Sequence, residues 1–260
     1  MIFKENKKKK IVQNFLRDGY IIFKIEDLKT LNEVRELTKK TIHKVIKVKN
    51  KNINILNTFH EFVDLNKLNE MRLAVYSKLN SNKNFVQSYF HLAKNHLETI
   101  CGDELAVQRK ANLSIQLPND DSSLLPIHSD VWSGCSPFEV VLWIPLVDVY
   151  KTKSMYIFPK KINDSIYKNF SNYPNSEFLF KKYEKKVKFL KINYGQGLIF
   201  THSIIHGNRV NQTNETRWSL NCRFKSLMSP YYKKSVAETF VPLNIKPATT
   251  IGLEYEHPKI

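Results

Sequence analysis

Apolar residues recur at roughly helical spacing in the first third of the chain. In the range 28–47 they are Leu31, Val34, Leu37, Ile42 and Val45. This spacing predicts a helix with one buried face. A second helical region covers about 65–97, and polar turn residues near 80–84 interrupt it. Ahead of both, the segment FLRDGYIIFKIEDL predicts a short helix that runs through Gly19 into a strand.

After about residue 106 the pattern changes to short strands with period-two alternation or compact apolar runs. Clusters of Pro, Asn, Asp and Gly separate them, and the predicted strands are 113–117, 139–145, 155–158, 187–192, 198–201 and 217–224. The polar range 163–184 predicts a helix or a long loop between strands. A helical front and an all-β rear indicate an α+β, mainly β protein. We expect a barrel or sandwich with N-terminal helices buttressing one sheet.

The 260 residues contain neither an internal repeat nor a low-complexity linker, so we expect one domain over 1–260. Within it, 1–105 is the mainly helical buttress, 106–228 the β core, and 229–260 a C-terminal extension or a lid over the pocket. Apolar residues make up 42% and charged residues 25%, as in ordinary globular proteins. Disorder is expected only at the N-terminus, around the basic run 7–10.

The net charge is +17, from 41 basic and 24 acidic residues. Such a charge suits an anionic partner, although a lysine-rich proteome would also produce it. The lysines are scattered, and no zinc-finger, RNP or helix-turn-helix signature accompanies them, so we do not expect nucleic acid. A small anionic substrate uses the charge better. Nothing in the sequence indicates the oligomeric state.

The three cysteines are widely spaced and form no CxxC pair, which predicts reduced thiols rather than a disulfide framework or a zinc site. The apolar run near the N-terminus is too short for a signal peptide. The longest apolar stretch, 140–147, contains a proline and is far too short to span a membrane. We therefore expect a cytoplasmic protein with no membrane span.

The segment LLPIHSDVWSG places His128 and Asp130 in an H-x-D arrangement. In an extended segment, residues two apart point to the same side, so both side chains can reach one ion. With a second imidazole they would form a 2-His-1-carboxylate triad, which leaves coordination sites open and suits non-haem iron(II). H-x-D alone is a weak signal in a chain with eight histidines.

The second half of the pattern is HGNRVNQTNETRWS, at 206–219. His206 follows a predicted strand, and Arg217 begins the next one, ahead of an otherwise apolar run. A partly buried arginine needs an anion, and its guanidinium fork matches the free carboxylate of an iron-chelating dianion such as 2-oxoglutarate. Ser219 faces the same way. His202, four residues before His206, is the rival ligand.

Two further polar residues lie on the strand before the H-x-D segment. Gln116 and Asn112 share one side of it by parity and could hydrogen-bond the cosubstrate or the substrate. They could equally be ordinary polar residues of a strand. Arg209 and Arg223 are candidates for binding substrate anions.

These motifs resemble the phytanoyl-CoA dioxygenase-like branch of 2-oxoglutarate oxygenases. The similarity rests on H-x-D, the later HGxxxNx[ST]xxxR run, the strand LWIPLVD between them, and the opening FLRDGYIIFKI. Within that branch, QRKANLSIQLP, HSDVWSGCSPFEV and SMYIFP look like the oxygenases of sporadic carbohydrate-biosynthesis gene clusters. The resemblance covers about 11–228.

The resemblance implies a double-stranded β-helix (jelly-roll, cupin-like) core with iron(II), 2-oxoglutarate and O2. Carried over, it makes His128, Asp130 and His206 the metal ligands, and it favours His206 over His202. Arg217 and Ser219 match the cosubstrate carboxylate clamp, and no catalytic residue beyond the metal ligands is implied.

The retained Asp130 favours hydroxylation or another oxidation, because related halogenases have a small residue there. The segment VDVYKTKSMYIFPKKIN departs from the wider family, since it lacks the Gly-rich turn and the PGSH-type segment. Substrate preferences of those members are therefore not transferred.

The resemblance further suggests a sugar, a nucleotide-linked sugar or a surface-polysaccharide precursor as the substrate. A non-catalytic jelly-roll carbohydrate-binding or regulatory module is the main alternative, but it has no use for a cosubstrate clamp. A cupin-type iron enzyme that does not use 2-oxoglutarate also leaves Arg217 unexplained.

Overall fold

A computed structural model describes residues 2–46, 54–230 and 238–258, in which helices combine with antiparallel sheet. The helices are α1 (Ile2–Asp18), α2 (Leu28–Ile46), α3 (Leu65–Asn80), α4 (Phe85–His91), α5 (Lys94–Cys101), α6 (Lys160–Lys168), α7 (Ser176–Tyr183) and α8 (Pro247–Glu254). The strands are β1 (Tyr20–Lys24), β2 (Leu105–Gln108), β3 (Asn112–Gln116), β4 (Val140–Pro145), β5 (Tyr156–Ile157), β6 (Lys188–Phe189), β7 (Gln196–Thr201), β8 (His206–Gly207), β9 (Arg217–Ser226) and β10 (Phe240–Leu243).

The helices predicted from apolar spacing are confirmed. The range 28–47 matches α2, apart from its last residue, which lies outside the described residues. The range 65–97 divides into α3, α4 and α5, with a turn at 81–84. Gly19 ends α1 with φ 77°, and its N–H donates to the Phe15 carbonyl at 2.7 Å. A residue in this left-handed region closes a helix at least cost when it has no Cβ.

The expectation of disorder at the N-terminus is wrong for the described residues. Helix α1 begins at Ile2 and contains the basic run 7–10. Lysine is a good helix former, so a run of lysines on a solvated helix does not interrupt it.

The larger sheet has seven strands in the order β1-β7-β4-β9-β2-β10, and β3 also pairs with β9. The smaller sheet has the order β6-β5-β8. All six predicted strands are present, with ends shifted by a few residues. The range 163–184 contains α6 and α7.

The pattern did not predict β2, β8 or β10. Strand β8 has only two residues, too few for any periodicity. Strand β10 contains Pro242, which normally argues against a strand, but β10 lies at the edge of the sheet, where a missing N–H is tolerated.

Alternation along β9 gives the large sheet two chemically different faces. Trp218, Leu220, Cys222 and Phe224 are buried on one face. This face meets the helical part of the chain: the Phe224 ring lies 6.3 Å from that of Phe90 in α4. The Trp218 indole donates to the Leu56 carbonyl, between α2 and α3, at 3.0 Å and packs edge-on against Phe59. The opposite face carries Arg217, Ser219, Asn221 and Arg223.

One connected apolar core joins residues of α2, α3 and α4 to the large sheet, including Leu31, Val75, Phe90 and Leu142. A second cluster packs α6 and α7 on the small sheet around Tyr156 and Phe158. No described helix has the length and apolarity that a membrane span needs. None of the three cysteines forms a disulfide.

The predicted C-terminal extension or lid is described only in part. Residues 231–237 lie outside the described residues. Strand β10 extends the large sheet beside β2, and α8 follows it.

Candidate metal and anion site

A cavity of about 270 Å³ lies on the polar face of β9. Its polar wall comes from β3 and β9 and consists of Asn112, Ser114, Arg217, Asn221 and Arg223. Its apolar wall comes from β4, β7 and the residue before β5 and consists of Val141, Trp143, Phe200 and Met155. All three predicted metal ligands and Arg217 line this one cavity.

His128 and His206 are held opposite each other by backbone hydrogen bonds. Each N–H donates to the carbonyl of the other residue at 2.9 Å, as in an antiparallel bridge. Directly opposed residues project their side chains to the same face, and the two ring centroids are 4.4 Å apart. The short β8, invisible in the sequence pattern, therefore brings together residues 78 positions apart along the chain.

Both imidazoles are oriented by a carbonyl two residues earlier. His128 Nδ1 lies 2.7 Å from the Pro126 oxygen, and His206 Nδ1 lies 3.0 Å from the Ile204 oxygen. A carbonyl can only accept, so each Nδ1 carries a proton, and Nε2 is the ring nitrogen left to bind a metal. Metal-binding histidines are commonly oriented in this way.

Burial keeps His206 neutral. Loss of solvation and the neighbouring His128 lower the pKa of His206 to about 4. A neutral imidazole is the form that binds a metal. The ring is therefore in its ligand form throughout the neutral pH range.

Asp130 joins the histidines because Ser129 is extended, with φ −126° and ψ 137°. Its carboxylate oxygen Oδ1 accepts a hydrogen bond from Arg223 at 3.1 Å. Burial by itself would raise the pKa of Asp130, but His206, His202 and Arg223 lower it below its usual value. The carboxylate is thus ionised, as a ligand must be.

Arg217 is a buried cation without a carboxylate partner among the described residues. It is only 3% exposed, and burial lowers its pKa to about 10. Its Nη2 donates to Ser114 at 3.1 Å, while its Nε has no hydrogen-bond partner within the described ranges. The Ser219 hydroxyl, on the same face, is also buried without one. A buried guanidinium that has no carboxylate partner and an N–H without an acceptor favours the binding of an anion.

The other polar candidates differ in position. Asn112 lines the cavity and donates to Asn221 at 3.0 Å. Gln116 is fully buried outside the cavity lining, and its amide nitrogen donates to the Arg209 carbonyl at 2.7 Å. Its Oε1 has no partner in the described part of the chain. Arg209 pairs with Glu177 at 2.9 Å on the surface.

The rival ligand His202 lies in a different, fully buried cluster behind Asp130. The ligand atoms of Cys135, Glu139 and His202 all lie within 4.8 Å of one another, and within residues 2–46, 54–230 and 238–258 no other three such side chains meet this distance. The ligand atoms of the predicted triad, His128, Asp130 and His206, are also not all within 4.8 Å of one another, and the Asp130 carboxylate is paired with Arg223.

The sequence interpretation missed three contributors to the site. Ser114 contacts Arg217, although its parity with Asn112 and Gln116 on β3 was a usable signal. Asn208 anchors the loop before the H-x-D segment through its amide, which contacts the Leu125 N–H and the Ser123 carbonyl. Glu139 beside His202 had no signal in the sequence.

No protein-family model and no curated protein matches the chain. Solved structures do match it. The apo form of ThoJ, a non-heme monooxygenase, is 14% identical with a TM-score of 0.55, over 85% of this chain and 79% of ThoJ. EctD from S. alaskensis, solved with 2-oxoglutarate and 5-hydroxyectoine, is 13% identical with a TM-score of 0.52 over the same shares, 85% and 79%. At these identities the likeness shows the fold: this chain has the fold of ThoJ and EctD.

Proposed function

We propose that the protein is an iron(II)- and 2-oxoglutarate-dependent oxygenase. The observation that carries the proposal is one cavity in which two imidazoles keep Nε2 for a metal and a buried guanidinium lacks an anion. A metal site explains the histidines but not Arg217, and an anion site explains Arg217 but not the histidines. A metal chelated by a dianion explains both.

In this proposal His128, Asp130 and His206 hold iron(II). The far carboxylate of 2-oxoglutarate binds Arg217 and Ser219, with Gln116 in support. Bound iron(II), 2-oxoglutarate and O2 supply the power to oxidise an unactivated C–H bond, with release of succinate and CO2. The protein's own residues bind, orient and exclude water, and no separate acid–base pair is required.

We further propose that the sheets form the double-stranded β-helix, or jelly-roll, of a single oxygenase domain over 1–260. Residues of both antiparallel sheets line the cavity, and the His128–His206 bridge extends the small sheet beyond β8, which supports this architecture. The likeness in fold to EctD, solved with 2-oxoglutarate, is consistent with the cosubstrate.

The substrate is proposed to be a small sugar, nucleotide-linked sugar or surface-polysaccharide precursor, handled in the cytoplasm. Its support is the resemblance in sequence and the net charge of +17, which suits a phosphate-bearing molecule. The retained Asp130 favours hydroxylation or another oxidation over halogenation. The cavity of about 270 Å³ has to take the cosubstrate and only the reacting part of the substrate.

A non-catalytic carbohydrate-binding or regulatory module is the alternative. Such a module has no use for a buried cation beside two metal-ready imidazoles. An iron enzyme that does not use 2-oxoglutarate would likewise leave Arg217 and Ser219 without ligands.

Anaerobic titration of the iron(II)-loaded protein with 2-oxoglutarate tests the proposal. We expect a visible metal-to-ligand charge-transfer band, which is absent in His206→Ala. Arg217→Met should weaken 2-oxoglutarate binding by roughly 2–5 kcal/mol, because the buried carboxylate loses its partner.

Arg209→Met is the matched control, since the guanidinium of this arginine lies at the surface and is paired with Glu177. It should bind 2-oxoglutarate like the wild type. A wild-type protein that shows no band and makes no succinate would contradict the oxygenase proposal. Unchanged affinity in Arg217→Met would remove Arg217 from its role.

A further inference from the structure

Behind Asp130 lies a row of ionisable side chains that ligand binding alone does not explain. Asp130 Oδ1 accepts from Arg223 at 3.1 Å, and Asp130 Oδ2 lies 4.0 Å from His202 Nε2. On the other side of the ring, His202 Nδ1 lies 3.3 Å from Glu139 Oε2. His202 and Glu139 are both fully buried. One imidazole therefore stands between two carboxylates.

Hydrogen bonds to its backbone N–H and carbonyl hold His202 in place. The His202 N–H donates to the Glu139 carbonyl at 3.2 Å. The Ser129 hydroxyl donates to the His202 carbonyl at 2.7 Å, and Tyr167 donates to the Ser129 hydroxyl at 2.7 Å. Ser129 lies between His128 and Asp130, so its hydroxyl ties the H-x-D segment directly to the His202 backbone.

We propose that Arg223 and His202, the latter oriented by Glu139, are positioning residues that set the direction of the Asp130 carboxylate. This inference rests on the proposed metal site. A carboxylate that offers one oxygen to a metal has a second oxygen that can turn, and polar contacts around it restrict that turning. Such surrounding contacts commonly change metal affinity by 10–100-fold when they are removed.

The competing interpretation is that Cys135, Glu139 and His202 themselves bind a metal. The positively charged side chains around the cluster argue against this interpretation. Arg223 and the buried Lys225 both interact electrostatically with Glu139, so a metal in this cluster would lie close to two basic side chains. In addition, one ring nitrogen of His202 faces the Asp130 carboxylate and the other faces the Glu139 carboxylate, so the ring lies between the two carboxylates as a link.

Titration of the metal-free protein with cobalt(II), followed by absorption, tests the proposal without turnover. We expect one cobalt(II) per chain. His202→Phe and Arg223→Lys should each weaken binding by about 10–100-fold and alter the ligand-field spectrum, because the carboxylate changes its direction. Glu139→Gln keeps an oxygen that can accept a hydrogen bond from His202, so this variant should bind cobalt(II) more tightly than Glu139→Leu.

Cys135→Ala is the matched control: the cysteine is buried in the same cluster but has no place in the proposed row. It should bind one cobalt(II) with wild-type affinity and spectrum. Thermal melting of each variant without metal shows whether it folds, and His202→Gln replaces His202→Phe if the latter does not.

Three results would overturn the inference. Folded His202 and Arg223 variants with wild-type affinity and spectrum would show that neither residue positions Asp130. Two metals in the wild type, with one lost in Cys135→Ala, would assign the cluster as a second metal site. A wild type that binds no cobalt(II) would overturn both this inference and the proposed function, and so differs from the first two results.

Discussion

At the scale of single residues, the site is defined by which atom of each side chain is available. His206 has its Nδ1 turned to the Ile204 carbonyl and its ring buried, so Nε2 is left for a metal. Arg217 has one contact to Ser114 and is otherwise a buried cation facing a cavity. Both residues are in costly states that a ligand would relieve.

The depressed pKa of His206 predicts a pH dependence of stability. Between its ordinary value of 6.5 and its folded value of about 4, the unfolded chain takes up a proton that the folded chain does not. The free energy of unfolding of the metal-free protein should therefore fall as the pH drops through this window, by about 3 kcal/mol from this group. Above pH 6.5 this contribution is constant.

Urea denaturation at several pH values, with a chelator present, measures the effect. His206→Gln should lose about 3 kcal/mol less between neutral pH and pH 4, because it has no imidazole to protonate. His257→Gln, which changes an exposed histidine, should follow the wild type. Equal pH slopes in wild type and His206→Gln would contradict the assignment.

At the scale of elements, the two-residue strand β8 depends on a glycine. Gly207 pairs with Tyr156 of β5. A Cβ at this position would lie 2.6 Å from Tyr156 Oη, 2.9 Å from its Cζ and 3.0 Å from the Leu125 carbonyl oxygen. The backbone of β8 can approach its neighbours this closely only without a side chain. Gly207, beside His206, thus allows β8 to lie this close to β5.

Gly207→Ala should lower the free energy of unfolding by about 1–3 kcal/mol, because the added methyl overpacks the strand. It should also weaken metal binding, since His206 is the adjacent residue. Tyr156→Phe removes the nearest clashing atom, so the double variant should be more stable than the sum of the single changes predicts.

Urea unfolding and cobalt(II) titration of the two single variants and the double variant measure this coupling. Gly252→Ala in α8 is the matched control, because a Cβ there meets no atom within 4 Å. It should be neutral or slightly stabilising. Additive losses in the double variant would argue that the hydroxyl is not the source of the strain.

At the scale of the whole molecule, the helical front and the strand-rich rear share one core. Leu31 of α2 and Phe90 of α4 belong to the same buried cluster as Leu142 and Trp218. Strand β1, from the helical third of the chain, is hydrogen-bonded to β7 of the large sheet. Neither part buries its apolar face alone, so we expect them to unfold together.

Two probes separate the parts. All three tryptophans, Trp132, Trp143 and Trp218, lie in the rear of the chain, so their fluorescence reports the strands. Far-ultraviolet circular dichroism reports mainly the helices. The two signals should give the same urea midpoint within error. A helical transition that precedes the loss of tryptophan fluorescence would argue for two domains instead of one.

The sequence by itself determined the longer elements, because a buried face imposes its own period on the chain. Helix α2 and strand β9 were predictable for this reason, and so were the chemical types of His128, Asp130, His206 and Arg217. A sequence motif names the residues that can bind a metal or an anion, since donor atoms belong to side chains.

Only the tertiary structure decided how those donors are arranged. The bridge through β8 and the burial of Arg217 come from contacts between residues far apart in sequence. Arg223 and His202 lie beside Asp130, and Glu139 lies on the far side of His202, for the same reason. Periodicity records which side of an element is buried, but it carries no information about which elements meet there.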